Sequence, residues 1–193
     1  MPENQLSRRR FVAALGAGFG AGPFWAAHMT AAGEAGSSGP VGTCPFTYCL
    51  NTSTIRGQKL GLEKEIDVAA QAGYRAIEPW VGTIQDYVKA GGRLADIRKR
   101  IEDLGLTVEG AISFSQWIVD DEARRTAAME QIKHEMDLLA QIGGKRIAAP
   151  PAGANGGNAP VLDLAVVAER YRAVLDLGDQ TGVTPALELW GPS

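Results

Sequence analysis

Histidine and cysteine are scarce in this chain: its 193 residues hold two of each. Two thiols cannot make a disulfide framework or a four-thiolate zinc site, and two imidazoles cannot build a His-rich metal centre within one copy. A basic surface is lacking too. With 19 basic and 22 acidic residues the formal net charge is −3, which argues against a nucleic-acid binder, whose mark is a clustered cationic face. No G-x-G-x-x-G or G-x-x-x-x-G-K-[ST] run opens any amphipathic segment, so a Rossmann or P-loop nucleotide site is a poor reading. Apolar residues are not lacking. At 45% hydrophobic and 21% charged, the chain has the composition of a folded α/β or α+β protein and not of a disordered one.

The N-terminus reads Ser7-Arg8-Arg9-Arg10-Phe11-Val12, followed by an uncharged, Ala/Gly-rich stretch to Ala32. A basic start before a weakly apolar run is the physical form of an export signal. The segment resembles a twin-arginine (Tat) signal, Ser-Arg-Arg-x-Phe-Leu, with Val12 where Leu is usual. Gly16, Gly18, Gly20, Gly22 and Pro23 dilute the run below a good membrane span. A Gly/Ser/Pro linker continues to Gly42 and should be flexible. Residues 1–42 are therefore expected to be a signal and linker. By resemblance the Tat translocase would be a partner during export, with a periplasmic or otherwise exported destination. Residues 43–193 form the expected folded domain.

From Gly57 onward one unit recurs: an amphipathic stretch, a glycine, then a short apolar run. Ile66, Ala69 and Ala70 lead through Gly73 to Arg75-Ala76-Ile77-Glu78. Ile97, Ile101 and Leu104 lead through Gly105 to the run 106–112. Met129, Ile132, Met136 and Leu139 lead through Gly143 to 145–149, and Val167, Tyr171 and Val174 lead through Gly182 to 183–189. The i, i+3, i+4, i+7 spacing is that of a helix burying one face. Glycine supplies the left-handed C-terminal stop, and runs without polar alternation read as strands covered on both faces. With Phe46-Thr47-Tyr48-Cys49-Leu50 as a first strand, the sequence predicts five strands alternating with four helices. Strict alternation demands a parallel sheet with right-handed crossovers.

The segments Ala69-Ala70-Gln71-Ala72-Gly73-Tyr74-Arg75-Ala76-Ile77-Glu78 and Gly182-Val183-Thr184-Pro185-Ala186-Leu187-Glu188 resemble the second and fifth strands of the xylose isomerase-like TIM barrels. That superfamily holds sugar phosphate isomerases and epimerases and the endonuclease IV-type enzymes. The resemblance runs over residues 46–193 and implies a partial (β/α)8 barrel. A full barrel has eight strands and usually about 250 residues. The expectation is thus the N-terminal part of a barrel, a fragment lacking strands six to eight.

Barrel chemistry sits where strands end and βα loops begin. Those points carry Asn51-Thr52-Ser53, Glu78-Pro79-Trp80, Ser113-Phe114-Ser115-Gln116-Trp117, Pro150-Pro151-Ala152 and Glu188-Leu189-Trp190. Trp80, Trp117 and Trp190 are candidate substrate-binding residues, since flat apolar faces beside acids and amides suit a sugar; capping of the core is the alternative. Glu78 is a candidate catalytic acid or base, with pairing to an arginine such as Arg56 as its alternative. By resemblance Glu188 would be the first ligand of a divalent ion (Mn, Mg, Co or Zn), bound with an Asp, a His and a Glu from later strands. Glu109 is expected to pair with Lys145 or Arg146, and His134 to lie on a helix surface away from the strand ends. The family implies a metal-dependent sugar or sugar phosphate isomerase or epimerase, with a small sugar as its partner and no nucleic acid. Two other readings stand beside it. A non-catalytic exported sugar-binding barrel would keep the tryptophans and dispense with ligands. An endonuclease IV-like phosphodiesterase would want histidines where Glu78 and Ser113-Phe114-Ser115 stand.

Overall fold

The computed structural model describes residues 46–154 and 161–189. The expected signal and linker 1–42, and Trp190, lie outside them.

The first strand, β1 (Cys49–Asn51), runs straight into a 3-10 helix (Thr52–Gln58), then α1 (Leu62–Gln71) and β2 (Ala76–Glu78). Two helices follow, α2 (Val81–Lys89) and α3 (Leu94–Asp103), before β3 (Thr107–Val108). The chain continues through α4 (Glu122–Gln141), β4 (Arg146–Ala148), α5 (Leu164–Thr181) and β5 (Thr184–Ala186). All five expected strands form, shorter than their apolar runs. The sequence reading of one helix per crossover fails between β2 and β3, where α2 is added. Val81 and Ile84 are buried and Tyr87 packs against the core, a short helical stripe that the helix, glycine, strand pattern passes over because α3 and not a strand follows it.

Local chemistry sets the helix ends. Asp121 caps α4 by accepting from the Arg124 amide at 2.9 Å, and Asp163 caps α5 through the Ala165 amide at 2.8 Å. At the far end of α5, Gly182 takes φ 74°, the left-handed stop. Gly178 serves a different purpose: a Cβ there would lie 2.5 Å from Pro185 Cδ and 2.8 Å from the Val183 carbonyl. Its missing side chain lets α5 lie directly against β5.

Every pairing is parallel. β1 pairs with β2, placing Asn51 opposite Glu78, and β2 pairs with β3. β4 pairs with β5. Beyond Val108 the chain of β3 joins β4 through the parallel bridge Ile112–Ala148, with amide bonds from Ala148 to Ala111 (2.8 Å) and from Ser113 to Ala148 (2.9 Å). The spatial order 1-2-3-4-5 therefore repeats the sequence order, without the reversal of a doubly wound sheet. That is the winding of a β/α barrel, present in part; the described strands form no closed barrel.

One row of strand side chains, Leu50, Ile77, Val108 and Ile147, is buried. It packs in one core with Ile66, Ile97, Ile101, Ile132, Met136 and Leu139 from α1, α3 and α4. The alternate row is covered only at Ala76. Cys49, Thr107, Arg146, Thr184 and Ala186 are exposed, contrary to the expectation of strands buried on both faces. The physical reason is curvature without closure: the concave side that a full barrel packs with its own side chains is open along these positions.

Candidate active site at the strand ends

Each βα turn delivers its first residues to one edge of the sheet. Asn51 ends β1, and the register places it beside Glu78 at the end of β2. Asn51 Nδ2 donates to Glu78 Oε2 at 2.9 Å, while its Oδ1 accepts from the Ser53 amide at 3.0 Å. Glu78 is held by this neutral amide and not by Arg56. The Arg56 guanidinium lies instead over the Trp80 ring, 5.3 Å from its centroid, a cation–π contact. Trp80 also meets Phe114, with ring centroids 5.6 Å apart and planes tilted by 35°.

Three polar atoms at this edge are buried without a hydrogen-bond partner: Trp80 Nε1, Ser115 Oγ and Glu188 Oε2. Native proteins leave few such atoms, and a group of them at one edge is where a ligand or water would be satisfied. Glu188, two residues beyond β5, is half-buried, and two strands, β3 and β4, stand between β5 and β2. A single carboxylate is not a metal centre. Among the described residues no three of His, Cys, Asp and Glu come together to hold an ion, so the donor set seen here does not fit a complete metal site.

Trp117 sits elsewhere in character. It is fully buried, its Nε1 donates to the Pro150 carbonyl at 3.0 Å, and its ring lies 5.3 Å from that of Tyr171. No face of it is open for a sugar to stack on. Arg125 and Arg170 strap the same loop, donating to the Val119 carbonyl (2.8 Å) and to Asp120 Oδ1 (2.8 Å), and Arg170 also reaches the Ile118 carbonyl. Tyr171 donates to the Pro185 carbonyl at 3.1 Å, and burial pushes its hydroxyl up from the usual value. Glu109 pairs with Arg146 at 2.7 Å, one of its two expected partners, and His134 is exposed on α4. Of the residues singled out in the sequence, Glu78, Trp80 and Glu188 reach the strand-end edge. The linkage through Asn51 and the buried Ser115 hydroxyl were not foreseen; no local sequence pattern sets the register that brings Asn51 to Glu78.

A singly wound parallel sheet whose polar residues gather at the strand ends defines a β/α-barrel protein. The sequence profile of the xylose isomerase-like TIM barrel family matches residues 66–193, and the chain belongs to that family. No curated protein matches the chain. Among solved structures, a D-psicose 3-epimerase crystallised with D-fructose superposes with TM-score 0.59 at 19% identity, over 74% of this chain and 52% of that one. The IOLI protein with a bound zinc atom gives 0.59 at 19% identity, over 76% and 52%. Protein SMc04130 from Sinorhizobium meliloti 1021 gives 0.58 at 28% identity, over 72% and 49%. The chain spans about half the length of these structures.

Proposed function

We propose that this chain contributes the strand-end carboxylates of a metal-dependent sugar or sugar phosphate isomerase or epimerase. The observation that carries the reading is Glu188: at the end of the fifth strand of a xylose isomerase-like sheet, it keeps one buried carboxylate oxygen without a partner. Under this reading Glu188 is one ligand of a divalent ion (Mn, Mg, Co or Zn), and the other ligands lie outside the described residues. Glu78 exchanges a proton with the carbon next to a sugar carbonyl, work that suits a carboxylate fixed by a hydrogen bond. Trp80, with Phe114 against it, offers an apolar edge and an unpartnered indole N–H to the sugar. Likeness to an epimerase and to a zinc-bound protein supports this reading through the shared fold.

Solvent deuterium exchange into a panel of sugars and sugar phosphates, with and without Mn²⁺, tests it. Metal-dependent exchange is expected, abolished by Glu188→Gln and lowered about 10²–10⁴-fold by Glu78→Gln, the usual worth of a proton-transfer group. Sugar binding without exchange would favour the non-catalytic sugar-binding barrel instead.

Export by the Tat route is proposed on Arg8 and Arg9. A reporter fused after Gly42 should leave the cytoplasm only with both arginines intact, and export that survives their replacement by lysine would refute it.

A further inference from the structure

The hydrogen bond between Asn51 and Glu78 spans two strands and uses an amide whose orientation is already decided. Asn51 Oδ1 is occupied by the Ser53 amide at 3.0 Å, where it caps the 3-10 helix. Its other end must then be the donor, and it points at Glu78 Oε2, 2.9 Å away. A flipped amide would lose both bonds. The strand register holds the two residues side by side, so the contact comes from the sheet and not from a flexible surface pair. Among the described residues Glu78 Oε1 has no hydrogen-bond or ion-pair partner.

We propose that Asn51 is the positioning residue of Glu78: it ties down Oε2, fixes the carboxylate's rotation and leaves Oε1 as the oxygen presented to a ligand at the strand ends. The chemical role given to Glu78 rests on the function proposed above; its restraint by Asn51 does not. The other charged or titratable groups near this carboxylate are few. The Cys49 thiol lies on β1 and senses the charges of both Glu78 and Glu109, Glu109 is paired with Arg146, and Arg56 stands over Trp80.

Two substitutions separate the cap from the restraint. Asn51→Asp keeps an oxygen acceptor for Ser53 and replaces the donor with a second carboxylate. Asn51→Ser keeps a capping oxygen and is too short to reach Glu78. Both should preserve the circular dichroism spectrum. The carboxyl carbons of ¹³C-glutamate-labelled full-length protein are then titrated by NMR, with Glu78→Gln identifying the Glu78 signal. In Asn51→Asp the Glu78 midpoint should rise by about one unit or more over wild type, because two adjacent carboxylates resist ionising together. An unchanged Glu78 midpoint in folded Asn51→Asp overturns the proposal. This titration needs no substrate, so absence of sugar exchange in wild type would sink the functional reading and leave this one standing. If exchange is found, Asn51→Ser should lower kcat with KM held, and a change in KM alone would count against positioning.

Discussion

Glu65 in the first turn of α1 shows what a buried acid costs at the scale of one residue. It is 5% exposed, its Oε2 has no partner, and burial pushes its carboxyl up from the ordinary range. The Thr52 hydroxyl beside it acts the other way but only in part, and neither oxygen reaches the other in good hydrogen-bond geometry. The folded chain thus favours the neutral acid. As pH rises past the unfolded value of about 4.3, the unfolded chain gives up its proton first and native stability falls, until the raised folded value is passed. Glu65→Gln removes that loss, and its amide can donate to Thr52 Oγ1. Thermal melts should show the variant more stable than wild type at pH 7, with the gap closing below pH ~4, where both forms of the side chain are neutral in both states. A gap independent of pH would show that packing and not charge is responsible.

Among the elements, the loop between β3 and α4 is the one whose fate could not be read ahead. Trp117 looked like a stacking platform because it follows a strand end. The structure turns it inward onto Tyr171 of α5 and spends its N–H on Pro150, which follows β4. Both partners are distant in sequence, so no local pattern announces them. Trp117→Ala should cost roughly 3–5 kcal/mol in urea unfolding, the usual range for emptying an aromatic core site. A variant of wild-type stability that fails only in sugar binding would return Trp117 to the substrate. What the sequence showed well were the elements with repeating anchors: α1 through Ile66 and Ala69, and α4 through Ile132, Met136 and Leu139. The glycine stop at 182 was equally plain, because a left-handed residue has few alternatives. Glu78 and Glu188 could be placed at strand ends by counting, whereas the restraint on Glu78 needed a register that only the folded sheet supplies.

Taken whole, the described sheet has two edges, β1 and β5, each with a strand on one side only. Apolar side chains stand exposed beside both: Phe46 and Tyr48 at one, Leu187 and Leu189 at the other. Unpaired edges flanked by apolar groups invite pairing with other chains. Sedimentation velocity over a concentration series should show self-association of the 193-residue chain. Leu187→Lys with Leu189→Lys should reduce it without changing the circular dichroism spectrum. A wild type that stays monomeric throughout the series would mean these edges are protected in solution.

The order in which the strands lie has a consequence of its own. Because β1 to β5 neighbour one another in the sequence in which they are translated, each βα unit meets its docking surface already made. No early strand has to wait for a late one to find its place between neighbours. Such a chain can add its layers from the N-terminal side while synthesis, at roughly 5–20 residues per second, is still under way. The ribosome would set the pace of assembly, and the apolar groups beside β5 would be among the last of the described residues to emerge.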